Sequence, residues 1–490
     1  MGREEQIVNE RIRKIEELRK NGTNPYPTKY DKKETCLKCS NSKIKTKVKT
    51  AGRLMTKRDI GKITFANLMD ETGKIQIVLQ EKETPEKVRN FFKKYADIGD
   101  FIGVEGEIVK TKTGEISILV KKVEILSKAV LPLPEKWHGL QDKEERYRKR
   151  YLDLIMNPEV KDVFEKRAKT ISAIREFLTK KGYIEVETPI LQPIYGGTSA
   201  KPFESQLNAL KMKVYMRISN EMYLKRLIGG GYEKIFEFSR DFRNEGIDAT
   251  HNPEFTLMET MCAYADYRQN MDLVEEMLEF VAKKVLGTTK VKYQGKEIDF
   301  KRPWKRIRMM DAIKQFSKLD VEKMSDQELK AKLKELKIEV PVFKRGIAIE
   351  EIFGSLVEEK LIQPTIIYDF PAETCGLAKP KKENTFYAER FEPYINGWEM
   401  GNVYSELNDP QILEEYWKEQ ESILSKDEEA QRMDEDFLNM LKIGMPPTSG
   451  VGIGVDRLVM LLTDSPSIRD VILFPFMKPE KESGKGKEGK

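Results

Sequence analysis

The chain has 490 residues, with 87 Lys and Arg, 81 Asp and Glu, four Cys, two His and a formal net charge of +6. This length corresponds to about three domains, or to one large domain with a smaller one attached, and no apolar run approaches the roughly 18 residues that span a bilayer. We therefore expect a cytoplasmic protein without a membrane partner. Two histidines exclude a His-rich metal site, four cysteines exclude a disulfide framework, and the mild charge permits a nucleic-acid partner without implying one.

Residues 1–42 predict an N-terminal helix followed by a linker. In 4–20 the isoleucines and Leu18 keep a helical spacing within a charged segment, and Asn21-Gly22 ends the helix. In the linker, Cys36 and Cys39 form half of a zinc motif. No second cysteine pair follows in the sequence, so zinc binding is left open.

Residues 43–130 predict a small β-barrel. Side chains alternate with a period of two from Lys43 onward, and five strands can be read with one helix after the third. The strands are 43–50, 61–69, 74–80, 101–109 and 115–126, and the helix is 85–95. This order is that of an OB-fold, a barrel that binds single-stranded nucleic acid, although other small barrels share the layout.

Residues 131–157 are rich in proline and basic side chains and predict a hinge. The following residues, 158–480, mix helical and strand patterns and predict a second, larger domain. Within it, a helix over 161–181 leads into a strand that ends at Pro189. Further strands are predicted at 213–219 and 234–243, and further helices at 270–286, 325–336 and 410–425. The last residues, 481–490, are of low complexity and predict a disordered basic tail.

The segment 234–259 predicts two strands joined by a turn-rich loop. Its first strand runs into Arg243, and its second strand begins near Phe255. An arginine in this position can hold a phosphate through two donors, and it keeps its charge at any relevant pH. An ordinary hairpin with surface charges would give the same pattern, so this segment alone does not decide between the two interpretations.

Two later segments carry further candidate groups. The first is rich in glutamates, and Glu392 and Glu399 can converge only if an irregular turn at Asn396-Gly397 lies between them. Converging carboxylates suit Mg²⁺ or a bound ammonium group, whereas a solvated edge strand is the simpler alternative. In the second segment, alternating glycines at 450–454 precede a helix near Arg457 and allow a ligand to approach the backbone closely.

In three ordered segments the chain resembles the class II aminoacyl-tRNA synthetases. The helix and strand ending at Pro189 are similar to motif 1, a homodimer element, while 242–259 is similar to motif 2 and 450–457 to motif 3. Within the class, four phrases are most similar to the lysyl-tRNA synthetases: HGLQDKEERYRKRYLDL, GGTSAKPF, RNEGIDATHNPEFT and NVYSELNDP. The resemblance extends over residues 5–478, nearly the whole chain.

The resemblance implies an α+β protein, with an N-terminal OB-fold that reads the anticodon and a catalytic domain whose mixed, largely antiparallel sheet is flanked by helices. A helical insertion with little catalytic content is expected around 304–365. The implied reaction is ATP-dependent ligation of L-lysine to tRNA(Lys). The lysine carboxylate attacks the α-phosphate to form lysyl-adenylate and pyrophosphate, and a ribose hydroxyl of the tRNA then displaces AMP. Neither step needs a protein nucleophile, because positioning and charge neutralisation suffice.

By matching position, the resemblance assigns nucleotide-site roles to single residues. Arg243 and Arg457 are expected as the catalytic residues, and Glu392 and Glu399 as the Mg²⁺ ligands. Phe255 and Arg457 are expected on the two faces of adenine. The implied ATP-binding residues are Arg243, Glu245, His251, Asn252, Phe255, Glu392, Glu399 and Arg457.

The resemblance also assigns the amino-acid and tRNA contacts. A buried ammonium must be paired, and Glu259 and Glu406 match the family's side-chain pocket, which would reject neutral amino acids. The implied lysine-binding residues are Gly197, Glu221, Arg243, Glu259, Met261, Asn402, Tyr404 and Glu406. The implied anticodon-binding residues are Arg58, Phe65, Gln76 and Glu115, with barrel core as the alternative for Phe65.

The chain departs from the family pattern at Met261, where most members have tyrosine. A thioether cannot replace the hydrogen bond of a hydroxyl to the substrate ammonium, so the strength of lysine binding is left in doubt. Two other functions stay open: a catalytically silent tRNA-binding or regulatory homologue, and a lysine ligase acting on a protein. The related aspartate and asparagine enzymes would need a cationic pocket in place of Glu259 and Glu406.

Overall fold

The computed structural model describes residues 2–134, 140–340, 343–423 and 433–479. It divides into two compact units, Met1–Gln141 and Asp142–Lys490. The tail predicted at 481–490 and part of the hinge predicted at 131–157 lie outside the described residues. Among those that are described, no helix is both long and apolar enough to cross a membrane.

The first unit contains a closed barrel of five strands in the order β1-β2-β3-β5-β4. Its elements are α1 (Arg3–Lys20), α2 (Cys36–Ser40), β1 (Lys47–Ile60), β2 (Ile63–Asp70), β3 (Gly73–Gln80), α3 (Glu86–Tyr95), β4 (Phe101–Lys110) and β5 (Ile116–Ser127). Leu54, Ile77, Ile102 and Ile118 are fully buried inside it. The helix after the third strand and the closed barrel confirm the predicted OB-fold.

The first strand differs from its predicted bounds of 43–50. It begins at Lys47 and continues to Ile60, because its first half pairs with β4 and its second half pairs with β2. The register shifts between Leu54 and Thr56, and such a bulge lets one strand bend from one neighbour to the other. The last residues of the strand are exposed and charged, so their alternation is not visible in the sequence.

The second unit is a mixed α+β domain with two short 3₁₀ helices, Glu358–Lys360 and Ala372–Thr374. Its α-helices are α4 (Lys143–Arg148), α5 (Arg150–Met156), α6 (Glu159–Lys180), α7 (Glu221–Gly229), α8 (Tyr267–Leu286), α9 (Met309–Ser317), α10 (Asp326–Leu336), α11 (Arg345–Leu356), α12 (Pro410–Ile423), α13 (Glu435–Ile443), α14 (Val455–Leu462) and α15 (Ile468–Val471). Its strands are β6 (Ile184–Glu185), β7 (Leu191–Gln192), β8 (Glu204–Leu207), β9 (Met212–Met216), β10 (Lys234–Phe242), β11 (Glu254–Ala263), β12 (Lys290–Tyr293), β13 (Lys296–Asp299), β14 (Lys305–Arg308), β15 (Thr365–Tyr368), β16 (Arg390–Ile395), β17 (Trp398–Glu399), β18 (Gly401–Ser405) and β19 (Thr448–Gly454).

The central sheet of this unit follows the order β14-β15-β16-β18-β19-β11-β10-β6, with β17 paired to β16. Only the pairs β14–β15 and β10–β6 are parallel, which confirms the largely antiparallel sheet. Helices α6, α8 and α14 pack together with it through Leu178, Leu278 and Leu458, each fully buried in one core. Helix α8 begins at a capping box, in which the Asp266 side chain accepts from the Gln269 backbone, and ends at Gly287 with φ 76°.

Two strands of this unit are shorter than their predicted bounds. The pattern at 183–188 gives only the two-residue strand β6, because β6 is an edge strand that pairs with β10 at Ile235 and Phe236 alone. The pattern at 213–219 gives β9, which lies in a separate three-stranded sheet with β7 and β8. Beyond these strands, Val186 and Arg217 still donate backbone hydrogen bonds to Phe236 and Ile190, so the alternating pattern extends past the regular strand pairing.

Candidate functional site

The second unit contains a cavity of about 500 Å³ whose walls include β11, β16, β17, β18 and β19. The structure brings to this cavity every residue that the sequence assigned to ATP, metal or lysine. They are Gly197, Glu221, Arg243, Glu245, His251, Asn252, Phe255, Glu259, Met261, Glu392, Glu399, Asn402, Tyr404, Glu406 and Arg457. Residues more than 200 positions apart in the chain therefore converge on one concave surface.

The β10–β11 hairpin positions Arg243 and Phe255. Asp241 lies opposite Phe255 in the register, so Arg243 leaves the hairpin beside the aromatic ring. The guanidinium carbon lies 5.0 Å from the ring centroid, and Nε donates to the backbone oxygen of Ile218 at 3.4 Å. A ring and a carbonyl orient the arginine without cancelling its charge, so the guanidinium can meet an anion in the cavity.

A chain of hydrogen bonds joins the hairpin loop to the third motif. The Nδ1 of His251 lies 2.8 Å from an oxygen of Asp248, and its Nε2 lies 3.2 Å from an Nη of Arg457. The other Nη of Arg457 donates to the backbone oxygen of Glu399 at 2.5 Å. Because both ring nitrogens have partners, His251 orients Arg457 in this arrangement and is not placed as a general base.

Asp456, which the sequence analysis did not single out, fixes the start of the helix that carries Arg457. One of its oxygens accepts from the backbone N–H of Thr256 at 2.6 Å, and the other pairs with Arg167 at 2.5 Å. These contacts tie α14 to β11 and α6. The position of Arg457 is therefore set by three separate elements of the fold.

The turn required for Glu392 and Glu399 to converge is present. Asn396 and Gly397 have φ of 58° and 76°, and they form a two-residue loop between β16 and β17. Glu392 is buried, pairs with Arg390 and accepts from the hydroxyl of Tyr394 at 2.6 Å. Burial and the nearby Glu392 carboxylate raise the pKa of Glu399 to about 7, which is the electrostatic signature of two acids that share one region.

The segment expected as a helical insertion, 304–365, also contributes to the cavity. Glu350 of α11 and Glu358 of the first 3₁₀ helix line it, while the expectation of little catalytic content in this segment stays a prediction. Burial raises the pKa of both carboxyls. Within the described ranges, Glu350 Oε2 is buried without a hydrogen-bond partner. The wall around Glu392 and Glu399 is thus more acidic than the sequence motifs suggested.

A second part of the cavity, here called the amino-acid pocket, is formed by Gly197, Glu221, Glu259, Met261, Tyr404 and Glu406. Glu259 is buried, and one of its oxygens accepts from the hydroxyl of Ser219 at 3.3 Å. Its Oε2 finds no partner in the part of the chain that the structure describes. Burial, followed by the carboxyls of Asp241, Glu221 and Glu237, raises the pKa of Glu259 well above its usual range. A buried acid in this state favours a cationic ligand.

Glycines leave space in the amino-acid pocket for the side chains around them. A Cβ on Gly450 would lie 2.5 Å from Oε1 of Glu406 and 2.8 Å from Sδ of Met261, so any side chain there would displace both. Gly197 has φ 94° and lies against Ser219 and Glu221. The glycines predicted to admit a ligand therefore also admit the side chains that line the pocket.

The sequence analysis did not single out Lys225, which contacts two of the pocket carboxylates. Its Nζ lies 2.5 Å from Glu221 Oε1 and 2.5 Å from Glu406 Oε2, and its side chain is 1% exposed. The four-residue separation from Glu221 on α7 is a detectable signal, but the same spacing is common in exposed helix pairs. Only the fold shows that this pair is buried beside the pocket.

The four predicted anticodon-binding residues lie on the barrel. Arg58 pairs with Phe65 across β1 and β2, and Phe65 pairs in turn with Val78 of β3. Phe65 is partly exposed and lies outside the buried barrel cluster. Gln76 donates to Glu115 at 2.7 Å and accepts from Ser117 at 2.8 Å. This surface offers a partly exposed aromatic ring, on which a base of a single strand can stack.

Cys36 and Cys39 are buried free cysteines beside Asp70, whose carboxylate accepts from the backbone N–H of Cys36 at 2.8 Å. Burial raises the pKa of both thiols. Across the described residues, no group of three or more His, Cys, Asp or Glu side chains is arranged to hold a metal ion. The structure gives this cysteine pair a packing role in the barrel unit.

Comparisons with known proteins agree with this geometry. A family model described as tRNA synthetases class II (D, K and N) matches residues 142–478, and an OB-fold nucleic acid binding domain model matches 48–126. The lysine–tRNA ligase of Carboxydothermus hydrogenoformans is 49% identical over 97% of this chain and 98% of its own length. Those of Clostridium novyi and Thermoanaerobacter sp. are 49% and 50% identical, each over 97% of this chain and over 95% and 97% of their own lengths. The chain belongs to the family of class II tRNA synthetases (D, K and N).

Proposed function

We propose that this protein ligates L-lysine to tRNA(Lys), with ATP as the second substrate and AMP and pyrophosphate as products. The observation that carries the proposal is that one cavity joins the guanidinium of Arg243 to buried Glu259, whose Oε2 has no hydrogen-bond partner among the described residues. The arginine suits a phosphate, and the carboxylate suits an ammonium. The named relatives, about half identical along nearly the whole chain, support the same activity.

In the first step, the substrate carboxylate attacks the α-phosphate of ATP, and pyrophosphate leaves. Arg243 holds the α-phosphate and stabilises the charge that develops on it. Phe255 and Arg457 receive the adenine from its two sides, and Glu245 and Asn252 complete the nucleotide site. His251 keeps Arg457 in place through the 3.2 Å contact. The chain supplies no nucleophile, because alignment and charge compensation account for the chemistry.

The amino-acid pocket selects lysine by charge. Glu259 and Glu406 face the side-chain ammonium, while Glu221, Gly197 and Asn402 hold the amino-acid end, and Tyr404 forms a wall. A neutral amino acid would leave these buried carboxylates without a counter-charge, which costs far more than a missing methylene. The same acidity disfavours aspartate, which this pocket would repel.

The acidic wall fits a divalent cation. Glu392 and Glu399 lie close enough to raise the pKa of Glu399, and Glu350 adds a buried oxygen without a partner among the described residues. Glu392 and Glu399 would hold Mg²⁺, which takes one or two carboxylates together with substrate phosphates. When bound, Mg²⁺ would neutralise phosphate charge and fix the triphosphate.

We assign anticodon binding to the barrel, residues 43–130, and catalysis to residues 158–480. Phe65 would stack on a base, and Gln76 and Glu115 would contact base edges beside Arg58. Ligation of an amino acid to tRNA belongs to translation, so we propose a cytoplasmic location.

We also propose a homodimer formed through the segment around Pro189. Ile184, Ile190 and Leu191 are exposed by 54%, 44% and 54%, although they are large apolar residues in neighbouring positions. Clustered apolar exposure is typical of a surface that another protein covers. We propose that a second copy of this chain covers this surface. Size-exclusion chromatography of the purified protein with light scattering measures the mass of the assembly directly.

The test of the proposed function is aminoacylation of purified tRNA with ATP and labelled lysine. The expected result is label on the 3′ end of tRNA(Lys) and on no protein acceptor. Label on a protein in place of tRNA would support the lysine ligase that acts on a protein. Binding of tRNA without any transfer of label would support the catalytically silent homologue.

A further inference from the structure

The amino-acid pocket carries three carboxylates but has an internal ammonium beside it. Glu221, Glu259 and Glu406 line the cavity, whereas Lys225 does not appear among the described residues that line it. The Lys225 ammonium nevertheless lies 2.5 Å from Glu221 and 2.5 Å from Glu406. It therefore reaches the two carboxylates from the side that faces away from the substrate space.

The burial of Lys225 has no obvious role in stability alone. Lysine is rarely buried, because removing an ammonium from water costs several kcal/mol unless its partners are well placed. Burial would lower the pKa of Lys225, but the carboxylates of Glu221 and Glu406 more than offset this and raise it. An apolar residue at this position would be the cheaper way to fill the space.

We propose that Lys225 is a positioning residue for amino-acid recognition, which holds Glu221 and Glu406 side by side and sets the number of negative charges that face the substrate. This inference rests on the proposed function and deepens it by assigning substrate specificity to a residue outside the cavity wall.

The charges balance for an amino acid that carries two ammonium groups. When the substrate ammonium groups are bound and all three carboxylates are ionised, Lys225 compensates one of the three charges, and two remain for the α-ammonium and the side-chain ammonium of lysine. The substrate carboxylate carries the remaining charge and faces Arg243. An amino acid with one ammonium group would leave one buried carboxylate uncompensated, which is a strong basis for rejection.

Lys225 also favours the ionised form of Glu406. Burial raises the pKa of Glu406, and Lys225 opposes that rise. Among the described residues, the other titratable groups that face these three side chains are Tyr404, whose ring centroid lies 5.5 Å from Lys225 Nζ, and Glu259 and Cys375. Among the groups that the described residues place around Glu406, Lys225 is the cation in direct contact. Its removal should therefore raise the pKa of Glu406 further.

The test compares Lys225→Met with Lys225→Arg, Lys225→Gln and Arg226→Met in lysine-dependent ATP–pyrophosphate exchange across pH. Lys225→Met is expected to raise the KM for lysine at least roughly tenfold while the KM for ATP stays within about twofold. The acid limb of kcat/KM for lysine should move upward by about one pH unit. Lys225→Arg keeps the charge and should keep the limb at its wild-type position.

Two variants guard against a purely structural outcome. Lys225→Gln keeps a hydrogen-bond donor without the charge, so it should fold and show the same shift of the acid limb as Lys225→Met. Arg226→Met removes a neighbouring cation on the same helix, whose pair with Asp434 involves no cavity residue, and should leave both KM values unchanged. If Lys225→Met lowered the thermal midpoint but kept the wild-type KM for lysine and the wild-type acid limb, the inference would be overturned and the proposed function would stand. Absence of lysine-dependent exchange in the wild type would overturn the proposed function and this inference together.

Discussion

Arg457 donates a hydrogen bond at 2.5 Å to the backbone oxygen of Glu399, 58 positions away in the chain. The cation of the third motif is thereby bonded to the backbone of Glu399, a residue that lines the same cavity. A hydrogen bond therefore joins the proposed nucleotide site to the proposed metal site. Substitution of Arg457 or Glu399 should therefore change the KM for ATP more than the KM for lysine.

Replacement of Arg243 by lysine should reduce the rate of adenylate formation. A lysine keeps the charge but loses the planar pair of donors that grips a phosphate, and the loss of one such contact costs about 10²–10³ in kcat. Pyrophosphate exchange measures the loss. Arg240→Lys is the matched control, because Arg240 is exposed on the same hairpin, pairs with Glu254 and does not line the cavity. Equal exchange rates for Arg243→Lys and Arg240→Lys would show that Arg243 does not hold the phosphate.

Replacement of Met261 by tyrosine should lower the KM for lysine and leave the KM for ATP unchanged. Met261 is 3% exposed and lies near Glu406, so a hydroxyl there can accept a hydrogen bond from the substrate ammonium. A hydrogen bond to a charged group contributes about 1.5–3 kcal/mol, which corresponds to roughly a tenfold or larger change. Met261→Leu conserves volume and is the control. If both KM values stayed fixed in the tyrosine variant, position 261 would not contact the substrate.

Replacement of Glu259 by glutamine should abolish tight lysine binding and change the pH dependence of stability. The folded pKa of Glu259 is raised above its ordinary value of 4.5, so its favourable contribution is fully present below that pH and is lost as pH rises through the folded pKa. Lysine should restore stability at the alkaline side by pairing with the carboxylate. Thermal midpoints with and without lysine across pH measure this effect.

In the glutamine variant, the midpoint should vary less over the same pH range, and the KM for lysine should rise by roughly 100-fold. A lysine-induced stabilisation that is equal in wild type and variant would contradict the assignment of Glu259 to the pocket.

Replacement of Phe65 by alanine should weaken tRNA charging without affecting pyrophosphate exchange. Stacking of one base contributes about 1–3 kcal/mol, so the KM for tRNA should rise roughly 5- to 150-fold. Exchange needs no tRNA and reports on the catalytic unit alone. Phe101→Ala is the control, because Phe101 is a barrel phenylalanine exposed by 40% that lies against Arg53. Equal effects of the two variants would indicate general damage to the barrel.

The parts of the site that were predictable from the sequence are those in which chemistry fixes residue type and local geometry. The Asn396-Gly397 turn could be recognised because few residues adopt left-handed backbone angles in a two-residue loop. The convergence of Arg243, Phe255 and Arg457 was implied by the resemblance to the class II synthetases. The OB-fold followed from strand alternation and the position of one helix.

The parts that were missed depend on packing between distant elements. Lys225 follows Glu221 by four residues, and the sequence does not show that Glu406 completes a buried trio with them. Glu350 belongs to a helix with no motif of its own, and its carboxylate reaches the cavity only through the placement of α11. The length of β1 depends on two different partner strands, which alternation alone cannot reveal.

ATP–pyrophosphate exchange with each of the twenty amino acids, measured on the purified protein, tests the central claim most directly. The arrangement of Arg243 opposite a pocket with Glu259 and Glu406 predicts exchange that depends on lysine and is at background with every other amino acid at equal concentration. Exchange that is independent of lysine, or no exchange with any amino acid, would contradict the claim.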